Sequence, residues 1–218
     1  MRPRSRIALL AVATVVALAF ALAVILDRPA ARSTTGVSTS GTDTSVAETA
    51  RSSSGFDGAL LPASRAPDFT LSDQYGRRVS LSQYRGRVAT LTFLSTTCHP
   101  TCPLIAQQIR GALDELGHSV PTLIVSADPA SDTPASVRRF LGEAALNGRV
   151  EYLTGTRAEL QPVWSAYDIV PAQLADASSV HAASVLLIDR AGQKRDLFQV
   201  EQLTPEALAH DIRKLEGG

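Results

Sequence analysis

The stretch "RVATLTFLSTTCHPTCPLIAQQIRGALDELG", residues 87 to 117, changes its period halfway along. Arg87 to Ser95 is apolar and β-branched and reads as a buried strand. From Leu104 onward the apolar residues Leu104, Ile105, Ile109, Leu113 and Leu116 recur at helical spacing. Both cysteines of the chain, Cys98 and Cys102, lie where the strand passes into the helix, with Pro103 directly after the second. Ligands of open α/β sheets sit at the carboxyl ends of strands, so this junction is a place for chemistry.

The pattern repeats outward from there. "PTLIVSA" (121 to 127) is a second buried strand, and "SDTPASVRRFLGEAAL" opens with Asp132 or Thr133 as a helix N-cap and Pro134 in the first turn. "VEYLTG" gives a short strand, "AELQPVWSAYDI" a short helix, "ASVLLID" (183 to 189) and "DLFQV" two more strands, and "TPEALAHDIRKLE" a closing amphipathic helix. Trp164 and Tyr167, one helical turn apart, read as core. Strands alternating with helices predict an α/β fold with a central sheet flanked by helices.

The N-terminal part has a different composition. Ile7 to Leu26 runs twenty residues without a charge, the length a helix needs to cross about 30 Å of hydrocarbon. Arg2, Arg4 and Arg6 precede it, so the positive-inside bias puts the N-terminus in the cytoplasm and the rest outside. A cleaved signal peptide, with "ALA" at 21 to 23 as cleavage site, is the rival reading, but signal h-regions hold only about 7–15 apolar residues. Residues 28 to 59 are dominated by Ser, Thr, Ala and Gly and read as a disordered tether. The expected organisation is therefore a membrane anchor over 1–27, a tether over 28–59 and one domain over 60–218. The protein is expected to be a single-pass protein of the cell membrane with that domain on the extracytoplasmic side. Lys plus Arg and Asp plus Glu balance at 21 each, which argues against nucleic acid as a partner.

Three readings of the cysteines compete. A structural staple closing over three residues gains little chain entropy. A redox pair is compatible with the motif, although CxxC is the usual spacing. A metal site is the third: the positive end of a helix favours thiolates, and paired soft thiolates select Cu(I), with Zn²⁺ as competitor. A further ligand would decide. The chain has four histidines, His99, His118, His181 and His210. His118 and His210 read as solvated surface residues and His99 as an exposed spectator between the cysteines. His181 lies just ahead of a buried strand, where a thioredoxin-like arrangement would bring it opposite the cysteines. Asp128 and Asp132 read as caps of turns and of a helix start.

With these pieces in place, the sequence resembles the SCO/SenC family of membrane-tethered, thioredoxin-like copper proteins. The resemblance rests on "APDFTLSDQYGRRVSL" (66 to 81), "CHPTCP" as a CxxxCP motif, "SADPASDTP" (126 to 134) and His181 followed by a strand ending in Asp189, within a span from Ala66 to Leu215. It implies copper, as Cu(I) or Cu(II), held by Cys98, Cys102 and His181. It also implies a metallochaperone role in assembling the dicopper centre of cytochrome c oxidase. The implied partners are subunit II of that oxidase or another copper-accepting protein, a periplasmic copper donor and a thiol reductant. Val180 and Ala182 stand where many relatives carry an acidic residue and Ser or Thr. The alternative function is a membrane-anchored thiol–disulfide oxidoreductase using Cys98 and Cys102 as a disulfide-forming pair. That role calls for proline at the start of the strand where Ala182 and Ala183 stand. A peroxiredoxin would need Pro and Thr where Leu91 and Ser95 stand.

Overall fold

The structure, a computed structural model, describes residues 55–171 and 183–217. The expected anchor, most of the expected tether and His181 lie outside the described residues. No helix among the described residues is long and apolar enough to cross a membrane.

The fold is a thioredoxin-like α/β arrangement built on a six-stranded sheet. Its strands are β1 (Ala59–Arg65), β4 (Ala89–Leu94), β5 (Thr122–Ser126), β6 (Glu151–Leu153), β7 (Ser184–Ile188) and β8 (Gln193–Gln199), in the spatial order β1-β8-β7-β4-β5-β6. A separate hairpin pairs β2 (Thr70–Ser72) with β3 (Arg78–Ser80). The helices are α1 (Thr101–Leu116), α2 (Pro134–Glu143), α3 (Arg157–Ala166) and α4 (Pro205–Gly217). β4, β5 and β6 run parallel, while β7 is antiparallel to β4, β8 to β7 and β1 to β8. Every residue of β4 and of β5 is buried, which explains why both read as continuous apolar runs rather than alternating ones.

The stripe of α1 is shifted from the expected one. Its buried positions are Cys102, Ile105, Ala106, Ile109, Ala112 and Leu113, whereas Leu104 is 42% exposed. At 3.6 residues per turn Leu104 lies on the far side of Ile105 from Ala106 and so falls outside the buried stripe. α1 and α4 pack against one another, and a Cβ on Gly111 of α1 would fall 2.7 Å from the ring of Pro205. Trp164 is fully buried, as expected, and its indole N–H donates to Ser126 O at 2.9 Å. Tyr167 is half-buried, packs against Phe69 and Phe93, and donates its hydroxyl proton to Pro67 O.

Packing onto the domain begins earlier than the boundary at residue 60. Phe56, Asp57 and Gly58, read from composition as the end of the tether, lie against the domain. Phe56 packs on the core under the ammonium of Lys214, and the Asp57 and Gly58 amides donate to the carboxylate of Asp211. This arm closes over a pair of fully buried acids, Asp196 of β8 and Asp211 of α4. Burial, together with the neighbouring Asp211, pushes the Asp196 carboxyl up to about 8. The folded chain thus holds a proton that the unfolded chain releases in the ordinary carboxylate range. The stabilisation from that proton is full below the unfolded value and is lost as pH rises through the folded value. The unfolding temperature should therefore fall between about pH 5 and about pH 9, and Asp196→Asn should flatten that dependence and be the more stable form at the alkaline end. Thermal unfolding followed by circular dichroism across this range checks it.

Candidate functional site

β4 delivers the chain to the carboxyl edge of the sheet, and residues 95 to 100 then turn into α1. The helix begins at Thr101, so Cys102 occupies its first turn while Cys98 lies in the preceding loop rather than one turn earlier on the same helix. The two residues meet nonetheless. Their Cα atoms are 5.5 Å apart and the sulfurs are joined in a disulfide. Both are buried, Cys98 to 5% exposure and Cys102 completely. His99, between them, is exposed and turned to solvent, in keeping with a spectator.

A carboxylate fixes this loop in place. Asp132 does not cap α2; that task falls to Thr133, whose side chain accepts from Ser136 N at 3.2 Å. Asp132 is instead buried and accepts four hydrogen bonds. Its Oδ1 takes the Thr96 amide at 2.7 Å and the Thr96 hydroxyl at 2.7 Å. Its Oδ2 takes Ser126 Oγ at 2.6 Å and the Tyr152 hydroxyl at 2.9 Å. Burial, and then the negative charge of Asp132, push the Tyr152 phenol well above its ordinary value, so it stays a donor. Asp128 has a lesser part: its carboxylate lies 3.4 Å from Thr97 Oγ1 and its backbone carbonyl accepts from the amides of Ser131 and Asp132. The signal for this knot was present in "VEYLTG", because a tyrosine in a short buried strand needs a partner for its hydroxyl.

The antiparallel register decides what lies across from the cysteines. Thr92 of β4 is opposite Val185 of β7, and the Thr92 hydroxyl donates to Ser184 O at 2.7 Å. The start of β7 therefore lies beside the end of β4, at the sheet edge from which the cysteine loop springs. Ala183, the first described residue there, is buried. A surface cleft of about 440 Å³ lies at the opposite edge, between the end of α1 and the approach to β6 around His118 and Arg149.

The sequence model of the SCO1/SenC family matches residues 59–216. The chain belongs to the SCO1/SenC family. A protein of Stutzerimonas stutzeri named for copper binding is 31% identical over 147 residues, covering 62% of this chain and 70% of that one. The structure of Bradyrhizobium japonicum ScoI with copper bound is 26% identical with a TM-score of 0.53, covering 70% of this chain and 99% of that one. The fold is also that of BsSco, described as a Sco-family cytochrome c oxidase assembly protein with a disulfide switch. There the TM-score is 0.60 at 23% identity, over 70% of this chain and 94% of that one.

Removing the acceptor at Asp132 would strand buried donors on three separate segments. Asp132→Ala should lower unfolding free energy by about 3 kcal/mol, whereas Tyr152→Phe, which deletes one donor of the four, should cost about 1 kcal/mol. Urea unfolding of the two variants checks the ratio.

Proposed function

We propose that this SCO1/SenC protein carries copper on its extracytoplasmic domain, held by Cys98, Cys102 and His181, and serves assembly of the dicopper centre of cytochrome c oxidase. The carrying observation is the pair of cysteines at the start of α1, whose sulfurs are close enough to bond. In the bridged form neither sulfur is a thiolate. Two electrons and two protons from a thiol reductant convert the bridge to two thiols, and metal binding then releases the thiol protons. Two soft thiolates suit Cu(I), and an added imidazole suits Cu(II). His181 lies three residues ahead of β7 in sequence. The β4–β7 register, with the start of β7 beside the end of β4, supports it as the third ligand. Relatives named for copper binding or solved with copper bound support the cargo. The uncharged run from Ile7 to Leu26 supports a single-pass anchor in the cell membrane.

The disulfide also supports the second reading, a thiol–disulfide oxidoreductase acting through the same two cysteines. His181→Ala separates the two. A copper carrier loses a ligand, so the thiolate-to-Cu(II) absorption should vanish and Cu(II) affinity fall at least about 10–100-fold, or about 1.4–2.7 kcal/mol. Cu(I) binding should fall less, because two thiolates remain. A pure dithiol enzyme would keep most of its exchange rate in this variant. An unchanged Cu(II) spectrum and affinity would remove the three-ligand site.

A further inference from the structure

Charge is balanced over the whole chain, with 21 basic and 21 acidic residues, but not over the surface of the domain. At the sheet edge where β4 begins, backbone pairing draws together the segments that bear Arg65, Arg85, Arg87, Arg190 and Lys194. Gly86 N donates to Arg190 O at 2.8 Å and Ala66 N to Gly192 O at 3.0 Å. Arg65 of β1 stands opposite Gln193 of β8, and Lys194 stands opposite Ser64 of β1 and Ile188 of β7. The side chain of Arg85 passes Gly192, where a Cβ would fall 3.9 Å from its Cγ and Nε. The four arginines are exposed and Lys194 is half-buried.

These cations lack counter-charges. None of the five forms an ion pair among the described residues, and Arg87 donates to a carbonyl, Ser119 O, at 3.2 Å. Other acids of this edge are already engaged: Asp189 with Arg195, Asp114 with Arg110 and Arg149, Glu115 with Arg213, and Glu216 with His118. Asp68 and Glu151 stand near the cations without an ion pair of their own. Asp68 Oδ1 accepts the Phe69 and Ser82 amides, and the Glu151 carboxylate accepts the Tyr84 hydroxyl. Five cations against these two carboxylates leave the edge positive, a field that favours an anionic surface.

Position says which anion. The chain enters the domain beside the end of α4, where Phe56 lies under Lys214; Glu216 there reaches His118, and Ser119, next in sequence, is the residue that Arg87 holds. Entry and basic edge are therefore neighbours, while the disulfide lies at the end of β4, toward the other edge. The uncharged run Ile7–Leu26 ends about 30 residues ahead of Gly55, a stretch that covers at most about 100 Å even when fully extended.

We infer that the edge bearing Arg65, Arg85, Arg87, Arg190 and Lys194 is a docking surface for a bilayer with anionic headgroups. The inference rests on the anchor proposed above for the choice of a bilayer as the anionic surface. Headgroup phosphate oxygens accept from the guanidinium forks, and each cation close to an anionic leaflet multiplies the attraction about fivefold. Docked in this way, the domain sets its basic edge on the headgroups and turns the disulfide away from them, toward proteins arriving from the aqueous side.

The test uses the full chain with Cys98 and Cys102 kept as the disulfide, so that one added cysteine is labelled alone. Ala191→Cys, at an exposed position beside Arg190, carries a fluorophore; Ala135→Cys, exposed in the first turn of α2 near the cysteine edge, carries the same fluorophore as the control. Each chain is reconstituted into vesicles that contain lipid spin-labelled at the headgroup. With about 30% phosphatidylglycerol, quenching at position 191 should exceed that at 135 at least about twofold, and the excess should vanish in phosphatidylcholine alone or in about 0.5 M NaCl. It should vanish also when Arg65→Glu, Arg85→Glu and Arg190→Glu are combined, substitutions of exposed side chains without ion pairs that leave the fold intact. Equal quenching at the two positions, or quenching at 191 indifferent to headgroup charge, overturns the inference. So does binding of soluble polyglutamate that the charge-reversed chain loses while lipid leaves position 191 unquenched, a result that assigns the edge to an acidic protein. Flotation with phosphatidylcholine vesicles tests the anchor by itself: a chain without one stays behind, and salt-sensitive flotation with anionic vesicles then reads the basic edge separately.

Discussion

The carboxylate of Asp132 is the constraint on which the geometry of the cysteine loop depends. A loop leaving the end of a buried strand has backbone groups to satisfy and no ladder to satisfy them. Asp132 supplies the acceptor for Thr96, two residues ahead of Cys98, and its other oxygen reaches Ser126 at the end of β5 and Tyr152 in β6. Ser126 passes the constraint on, since its carbonyl accepts from Trp164 of α3. The cysteines thus start from a point fixed by two neighbouring strands and a helix, which is how a short motif can hold two sulfurs at bonding distance before any metal arrives.

The molecule buries carboxylates in two opposite ways. Asp132 is surrounded by donors, four of which its two oxygens accept. Asp196 and Asp211 are set against each other, with donors to Asp211 coming from the arm and from the protonated carboxyl of Asp196. The first arrangement stiffens the structure under all ordinary conditions. The second makes the seating of residues 56 to 58 sensitive to the proton held between the two acids.

Much of this was legible in the sequence. The continuous apolar runs of β4 and β5 and the helical spacing of α1, with cysteines between, indicated the class of fold and pointed to the sheet edge where the disulfide lies. Cys98 and Cys102 do meet, but through a loop residue and a helical one, a distinction that spacing alone does not carry. The sequence left Asp132 and Thr133 as alternative caps because DTP before an apolar stripe is a helix-start pattern; the cap is Thr133, and the buried role of Asp132 was not foreseen. The acid pair was missed although each member broke a rule: Asp196 shares an inward face of β8 with Phe198, and Asp211 sits within the buried stripe of Leu208, Ile212 and Leu215. A charge inside an apolar pattern is the local inconsistency that marks a site. Phe56 to Gly58 escaped notice because composition averages over a stretch dominated by Ser, Thr, Ala and Gly and hides three residues that pack.

The order of the sheet has a geometric consequence for any partner. β7, β8 and β1 alternate in direction, and Ala59 stands opposite Leu197, Leu197 opposite Leu186 and Leu186 opposite Leu91, so β1 begins level with the middle of β4 and short of its end. Ahead of β1 the chain turns back along α4, where Phe56 lies under Lys214 and the Asp57 amide donates to Asp211, and the end of α4 meets the end of α1 through His118–Glu216 and Arg213–Glu115, so residue 55 stands toward the edge remote from the cysteines. The point where the chain enters the domain and the disulfide thus lie toward opposite edges of the sheet, so a protein docking on the sulfurs would come from the side remote from that entry.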